Sequence, residues 1–305
     1  MNIHLIDYTI LCVGFAFFLG WAIYINTKTK TVADYLVSGR KVKMWLGMGA
    51  VPAYLIGRRL LKSTGAGVAL SLMYCAYPAL HGANMYEFHS LTLIAPLVLW
   101  LIYFLETGSP VRYFFTLAVL LLVREDVPLL ICFVGAYAII VPRAGSARIG
   151  RATIVTCLAY FAIVKTFFMQ SSGILNAGKD AYSFEYYYDA MIPDRNGIGG
   201  LVASLVTNPL FALKHALEEP KVIFLLLIFL PLGFLPFFAR WGRLMLTYGL
   251  LFCLLASRGP VFTIHFQYTA ILFPLAFALT PIALGQIAEG RFARYAGLDP
   301  SRYWR

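Results

Sequence analysis

The chain has 305 residues with a net charge of +11, and 60% of them are hydrophobic while only 13% are charged. Its mean hydropathy is +0.76. Soluble domains carry about 25% charged residues, and a soluble fold of this size has no interior large enough for so much apolar surface. The composition therefore excludes a soluble enzyme, a disordered protein and a coiled coil, and it indicates a chain whose main solvent is lipid.

The excess of basic residues, 25 Lys and Arg against 14 Asp and Glu, falls in short clusters between apolar runs. This placement indicates loops that orient a membrane protein, and it gives no reason to expect nucleic acid as a partner. The cysteines lie inside apolar runs without metal or redox spacing, so they are predicted to act as small hydrophobic residues. They are Cys12, Cys75, Cys132, Cys157 and Cys253.

The apolar runs predict membrane helices, the first over 5–25. A basic stretch at 27–43 follows, and then a run at 44–57 that is too short to span and is interfacial, re-entrant or the remnant of a longer helix. The long polar interval 170–220 contains a predicted interfacial amphipathic helix at 200–217, interrupted at Pro209. Further apolar runs lie at 65–80, 89–105, 111–123, 127–142, 152–169, 221–239, 244–257 and 267–287.

If successive loops are assigned to alternate sides of the membrane from residue 58 onward, the basic loops fall on one side and the acidic loops on the other. By the positive-inside rule the basic set is cytoplasmic, together with the carboxyl terminus, and the acidic set is extracytoplasmic. The basic set is Arg58, Arg59, Lys62, Arg112, Arg143, Arg148, Arg151, Arg240, Arg243, Arg291, Arg294, Arg302 and Arg305. The acidic set is Glu87, Glu125, Asp126, Asp180, Glu185, Asp189, Asp194, Glu218 and Glu219.

The alternation fails between 43 and 58, because both flanks are basic and the segment between them is too short for a round trip across the bilayer. We therefore predict two unrelated pieces joined near residue 46, with few contacts from 5–25 to the helices after 65. The predicted domains are 1–46, a membrane domain at 47–288 that includes the extracytoplasmic segment 170–220, and a basic cytoplasmic tail at 289–305.

The first 45 residues resemble the amino terminus of sodium:solute symporters. The matching residues are Asp7-Tyr8, Lys30-Thr31, Asp34-Tyr35-Leu36, Ser38-Gly39-Arg40 and Trp45. The sodium-coordinating helices of that family have no counterpart in the rest of the sequence, so the resemblance implies transport only as an alternative function.

Residues 49–287 are similar to the DUF2079 predicted membrane proteins, which are grouped with the GT-C glycosyltransferases. The similarity lies in YLIGRRLL at 54–61, YPALHGANMYEFH at 77–89, REDV at 124–127, HFQY at 265–268 and Pro274. The implied fold is an all-α, polytopic integral membrane protein of about eight to ten transmembrane helices. It is GT-C-like and truncated at its N-terminal side.

Polar residues at the predicted extracytoplasmic ends of the helices are the candidates for a site. Carboxylates and imidazoles that converge can hold a divalent cation and a sugar phosphate. The catalytic candidates are Glu87 and Asp126, the substrate-binding candidates are His89, Arg258 and His265, and the metal candidates are Glu87 and His89. At least three of Glu87, His89, Asp126 and His265 are expected to line one pocket, with Arg258 near its edge.

Two of the groups that could form a site also have a simpler interpretation. Glu125 and Asp126 suit a helix start that pairs with Arg124. Lys165 is a second cationic candidate for a lipid phosphate. The run Tyr182, Phe184, Tyr186, Tyr187 and Tyr188 favours an interfacial aromatic belt over stacking on sugar rings.

The resemblance implies a GT-C-like glycosyltransferase that moves a sugar from a polyprenyl-phosphate donor to an extracytoplasmic acceptor, with a divalent metal cation. The first acidic loop of the family has no counterpart before residue 49, so weak or no activity is expected. The alternatives are a non-catalytic fused or truncated membrane protein and a symporter-related transporter. The expected location is the bacterial inner (plasma) membrane, with the lipid bilayer as a partner.

We expect labelling from outside the cell to modify a cysteine placed at Ser172 and to leave one at Ser146 unmodified. The reason is that the acidic interval 170–220 alternates with the basic loop that contains Ser146. The reverse labelling pattern would overturn the topology.

Overall fold

The computed structural model describes residues 44–85, 89–141, 145–168, 184–192 and 197–290. The predicted helix at 5–25, the predicted packing of that helix and the residues of the basic tail after 290 lie outside these ranges.

Within the described ranges the regular secondary structure is entirely helical, which confirms the all-α prediction. The first α-helices are α1 Met44–Leu61, α2 Thr64–Cys75, α3 Pro78–Met85, α4 Ile94–Thr107, α5 Pro110–Leu121, α6 Val127–Ile140 and α7 Ser146–Ile163. The later ones are α8 Phe184–Tyr187, α9 Gly197–Thr207, α10 Pro209–Ala216, α11 Glu219–Phe229, α12 Thr247–Leu254 and α13 Phe273–Ala288. The 3-10 helices are Ser90–Leu93, Asp189–Met191, Leu230–Leu232, Leu235–Phe238, Gly242–Leu246, Gly259–Phe262 and Gln267–Ile271.

Three continuous helical segments in the described residues are long and apolar enough to cross a membrane: Ser90–Thr107, Ser146–Phe168 and Gln267–Ala288. The second consists of α7 and the π-helix Val164–Phe168. Shorter apolar helices accompany them at Thr64–Cys75, Pro110–Leu121, Val127–Ile140 and Gly242–Leu254. A polytopic all-α membrane protein is the architecture that such a set of helices builds.

Prolines and glycines divide some of the predicted runs. The run at 65–80 is split at Ala76–Tyr77, because Pro78 begins α3 as an N-terminal helix residue without an amide donor. The run at 221–239 is α-helical only to Phe229 and continues as 3-10 turns around Pro231 and Pro236.

The amphipathic stretch at 200–217 is interrupted where the sequence predicted. α9 ends before Asn208, whose side chain accepts a hydrogen bond from the Phe211 amide at 3.4 Å, and α10 begins at Pro209. Val206 and Leu210 are largely exposed, whereas Ala212 is buried. The pair of helices therefore presents an apolar outer face, as an interfacial segment requires.

The last helix, α13, lies at the centre of the described core, with its residues 273–283 buried without interruption. Two tyrosines from the α2–α3 region pack on it. The Phe277 ring makes edge contacts with Tyr74 and Tyr77 at centroid distances of 5.4 and 4.8 Å. The Tyr77 hydroxyl also donates to the Ile228 carbonyl, which ties α13 and its neighbours to α11.

Glycines allow α6 and α7 to pack with their backbones in contact. A Cβ atom added to Gly150 would lie 2.4 Å from the Gly135 carbonyl oxygen, and one added to Gly135 would lie 2.8 Å from Ile154 Cγ1. The Thr153 hydroxyl, on the same helix as Gly150, lies 3.0 Å from the Tyr113 hydroxyl. Small residues and interhelical hydrogen bonds are the usual means by which helices associate in lipid.

Replacing Gly150 with alanine should destabilise the protein, because the new methyl group meets the backbone of α6 rather than a movable side chain. Overpacking of this kind costs about 1–3 kcal/mol. The midpoint of thermal unfolding in detergent or nanodiscs measures the effect. Gly199→Ala is the control, since a Cβ atom at this helical glycine meets nothing within 4 Å. Equal midpoints for the two variants would contradict the close packing of α6 and α7.

Candidate functional site

Three of the segments singled out in the sequence meet at the 3-10 helix Gln267–Ile271. This helix packs against α3 and against the 3-10 helix Ser90–Leu93, which begins just after His89. The loop just before this 3-10 helix also lies close to α3, since a Cβ atom on Gly82 would lie 2.0 Å from the Ile264 carbonyl oxygen. From the loop between α5 and α6, Arg124 reaches the ring of Tyr268. The folding of the chain thus brings distant polar motifs to one region.

Asp126 is the carboxylate that this arrangement shields most. It lies directly before α6, and only 15% of its side chain is exposed, against 46% for Glu125. Arg124 Nε lies 3.0 Å from Asp126 Oδ1, and the Tyr248 hydroxyl donates to Oδ2 at 2.9 Å. The Arg124 contact is an ion pair without hydrogen-bond geometry, so the buried Oδ1 has no hydrogen-bond partner within the described chain.

Burial raises the pKa of Asp126 above its ordinary value, although the Arg124 charge and the Tyr248 hydrogen bond act in the opposite direction. For Arg124, burial lowers the pKa, but the charges of Asp126 and Glu125 outweigh burial and leave it raised. Arg124 therefore stays cationic, while Asp126 holds a proton to a higher pH than an exposed aspartate does. A raised pKa brings the proton exchange of a carboxyl group closer to neutral pH than that of an ordinary aspartate.

Aromatic rings surround this ion pair. The Arg124 guanidinium lies 5.7 Å from the centre of the Phe252 ring and 5.9 Å from that of Tyr268, and these two rings are 6.1 Å apart. The Tyr187 and Tyr268 hydroxyls are 3.1 Å apart, and the Tyr188 hydroxyl donates to the Phe252 carbonyl. Of the aromatic run, Tyr188 is buried, Tyr187 is half-buried and Tyr186 is exposed, and the interfacial belt stays a prediction.

Arg258 lies at a neighbouring, more exposed position, with 41% of its side chain accessible. It donates to Asp189 Oδ2 at 2.8 Å and to the Tyr186 carbonyl at 3.1 Å, and its guanidinium stacks 4.3 Å from the centre of the Tyr186 ring. The Ser257 amide donates to the Tyr187 carbonyl. Arg258 therefore belongs to the same group of contacts as Tyr186 and Tyr187.

A buried polar cluster that the sequence analysis missed lies between α10 and α11. Lys221 is fully buried, and its Nζ atom donates to the His215 carbonyl at 2.7 Å and lies 3.1 Å from Glu218 Oε2. His215 Nδ1 lies 3.0 Å from Glu218 Oε1, and its Nε2 lies 3.2 Å from the Leu255 carbonyl oxygen. Burial by itself raises the pKa of Glu218, but Lys221 and His215 have a larger, opposite effect. The pKa of Glu218 is therefore lowered, and the carboxylate stays ionised.

The available signal for this cluster was the spacing of His215, Glu218 and Lys221 by three residues around Pro220, just before an apolar run. Lys165, which the sequence offered as a cationic candidate for a lipid phosphate, lies in the π-helix Val164–Phe168 at the end of α7.

The remaining candidates are distributed as follows. Glu87 lies outside the described residues. His89 precedes the 3-10 helix Ser90–Leu93, and its carbonyl accepts a hydrogen bond from the Thr92 hydroxyl. His265 is exposed between two 3-10 helices. The common pocket of Glu87, His89, Asp126 and His265 therefore stays a prediction.

A metal site is not formed by the described part of the chain, in which no three His, Cys, Asp or Glu side chains are placed to hold an ion. The metal predicted at Glu87 and His89 stays a prediction, because one of these two ligands is not among the described residues.

Comparison with known protein families identifies a match. A family model described as "Predicted membrane protein (DUF2079)" matches residues 43–298, a range that contains Arg124, Asp126, Arg258 and the polar cluster at α10–α11. No curated protein and no solved structure matches the chain.

The raised pKa of Asp126 predicts a pH-dependent stability. Because the folded state holds this proton more tightly than the unfolded state, the stability it contributes is present below the ordinary aspartate pKa of about 3.9 and is lost as the pH rises through the folded value. Thermal unfolding midpoints of the wild type should therefore fall relative to those of Asp126→Asn as the pH is raised from about 4.

Glu125→Gln is the matched control. Burial is the largest cause of the raised pKa of Asp126 and the Glu125 charge a smaller one, so this variant should keep a pH dependence of the same sign, displaced to lower pH. A constant difference between wild type and Asp126→Asn across the pH range would contradict the raised pKa.

Proposed function

The chain belongs to the DUF2079 family of predicted membrane proteins, and from this premise we propose that it is a GT-C-like glycosyltransferase. It moves a sugar from a polyprenyl-phosphate donor in the bilayer to an extracytoplasmic acceptor. The observation that carries the proposal is Asp126, a shielded carboxylate beside Arg124 and aromatic rings, with one oxygen that has no hydrogen-bond partner among the described residues.

Asp126 is the proposed general base. The acceptor hydroxyl gives its proton to Oδ1 as its oxygen attacks the anomeric carbon, and the bond from that carbon to the donor phosphate breaks in the same displacement. The Tyr248 hydroxyl holds Oδ2 at 2.9 Å and so fixes the direction in which Oδ1 points. The raised pKa of Asp126 supports this role, because a base whose conjugate acid titrates nearer to neutral pH transfers protons more effectively.

The rings of Phe252 and Tyr268 are the proposed stacking surface for the sugar. Hydroxyl and edge contacts with Tyr187 keep the Tyr268 ring in place, and an edge contact with Tyr188 does the same for Phe252, as expected of a surface that binds a flat apolar ring face. Arg258 is the proposed phosphate ligand, since it is the more exposed of the two arginines and a guanidinium binds phosphate oxygens in pairs.

The other sequence candidates keep their proposed roles. Glu87 is a second catalytic carboxylate, and Glu87 and His89 together hold a divalent cation that offsets the charge of the phosphate. His265, which is exposed and lies two residues from the 3-10 helix that contacts Arg124, binds the substrate. The protein acts in the bacterial inner membrane with its carboxyl terminus in the cytoplasm.

Reconstituted protein supplied with a panel of polyprenyl-phosphate sugars should release polyprenyl phosphate. Asp126→Asn should lower that rate by about 10²–10⁴-fold, the usual contribution of general acid–base catalysis. The readout is the release of unglycosylated lipid phosphate, followed by chromatography with and without a divalent cation.

Glu125→Gln, which removes the exposed neighbouring carboxylate, should turn over at the wild-type rate. If Asp126→Asn matches the wild type, the Arg124–Asp126 pair only fastens the start of α6. If no donor in the panel is consumed by folded wild-type protein, the transferase proposal fails as a whole.

A further inference from the structure

Two of the cysteines that the sequence places far apart face each other across the contact between α6 and α7. The thiols of Cys132 on α6 and Cys157 on α7 are in hydrogen-bond contact. Both are free thiols in this structure, Cys157 being buried and Cys132 partly buried.

The register of the two helices accounts for this pairing. A Cβ atom on Gly150 would meet Ile139, and one on Gly135 would meet Ile154, so Gly150 of α7 lies opposite Ile139 of α6 and Ile154 of α7 lies opposite Gly135 of α6. The second pair lies four residues nearer the start of α6 and four residues nearer the end of α7. This is an antiparallel register. Three residues further in the same directions, Cys132 of α6 comes opposite Cys157 of α7.

The glycine contact also brings the helices close enough for a covalent bond. Disulfides need Cα atoms about 4.4–6.8 Å apart, whereas helix axes that pack through larger side chains lie about 8–10 Å apart. At the α6–α7 crossing the backbones themselves touch, because a Cβ atom on Gly150 would lie 2.4 Å from the Gly135 carbonyl oxygen. Two cysteines one turn away from this contact are thus within reach of each other.

We propose that Cys132 and Cys157 form a reversible redox pair, which a membrane quinone oxidises to a disulfide that fastens α6 to α7. The two S–H bonds break and one S–S bond forms, while two protons and two electrons pass to the quinone and convert it to the hydroquinone. A lipid-soluble oxidant suits the location, because both thiols lie within apolar helices and Cys132 is the partly accessible one.

The pair acts on the element that begins at the candidate site. α6 starts at Val127, directly after Asp126, and Cys132 lies in its second turn. Fastening this turn to α7 restricts the motion of the helix end that carries the ion pair. The proposal does not depend on the transferase activity, since the formation of the bond is measured directly.

The test counts free thiols in the full chain reconstituted in nanodiscs. After treatment with a short-chain ubiquinone analogue, the protein is denatured and labelled with a maleimide polymer that adds a fixed mass to each free cysteine. The untreated chain has five cysteines, and oxidised protein should carry two fewer labels, with full labelling restored by dithiothreitol. Mass spectrometry of the digested protein should identify a peptide that joins Cys132 to Cys157.

Cys132→Ser should lose no label on oxidation, whereas Cys253→Ser, which alters another buried cysteine, should still lose two. The linked peptide in the wild type keeps the proposal testable if either variant fails to fold. Unchanged labelling of quinone-treated wild type, or a linked peptide that joins other cysteines, would overturn it. Loss of two labels from Cys132→Ser would overturn it as well.

Discussion

Burying charge in an apolar chain is the constraint on which the described site depends. A charge that leaves water in such a chain loses its hydration, and this loss is tolerable only where an opposite charge and hydrogen bonds replace it. Lys221, which is fully buried, has Glu218 and the His215 carbonyl, and Arg124 has Asp126 and two aromatic rings. Removing one partner would leave the other charge without compensation, so these groups fix the loops that carry them.

The requirement extends to the backbone. In lipid every amide and carbonyl needs an internal partner, which favours helices and makes irregular segments acceptable only where protein covers them. The chain from 230 to 246 follows this rule, because its prolines prevent a regular α-helix and 3-10 turns supply hydrogen bonds for its peptide groups instead. The last of these turns contains the buried residues Met245 and Leu246. Side-chain caps, such as Asn208 at α10, serve the same purpose at helix ends.

The sequence predicted the helical membrane fold, because long apolar runs have one main solution in lipid. It also predicted the interruption of the 200–217 helix at Pro209, where α10 begins in the structure, because proline has no amide to continue the preceding helix. It placed Asp126 and Arg258 among the site candidates from charge alternation and family resemblance. The convergence of Tyr187, Tyr268 and Phe252 was beyond it, because these residues come from separate parts of the chain and only packing brings them together.

The buried cluster at α10–α11 was missed for a related reason. A lysine beside an apolar run is usually assigned to the membrane boundary, where its ammonium group reaches water. Nothing local shows that Lys221 instead turns inward, since this depends on the His215 carbonyl and on the Phe262 ring 5.2 Å away. The pairing of Cys132 with Cys157 likewise depends on the glycines that set the distance between α6 and α7.

The segment 255–258 links the two polar clusters. Its first carbonyl, that of Leu255, lies against His215, the Ser257 amide donates to the Tyr187 carbonyl, and Arg258 pairs with Asp189. The contacts therefore run from α10 to Arg258 through three residues of chain, and through Tyr187 to Tyr268 and the ring surface beside Arg124. Each of these contacts replaces hydration that a polar group loses on burial, so the same physical requirement that pairs Lys221 with Glu218 also accounts for the polar contacts of this connecting segment.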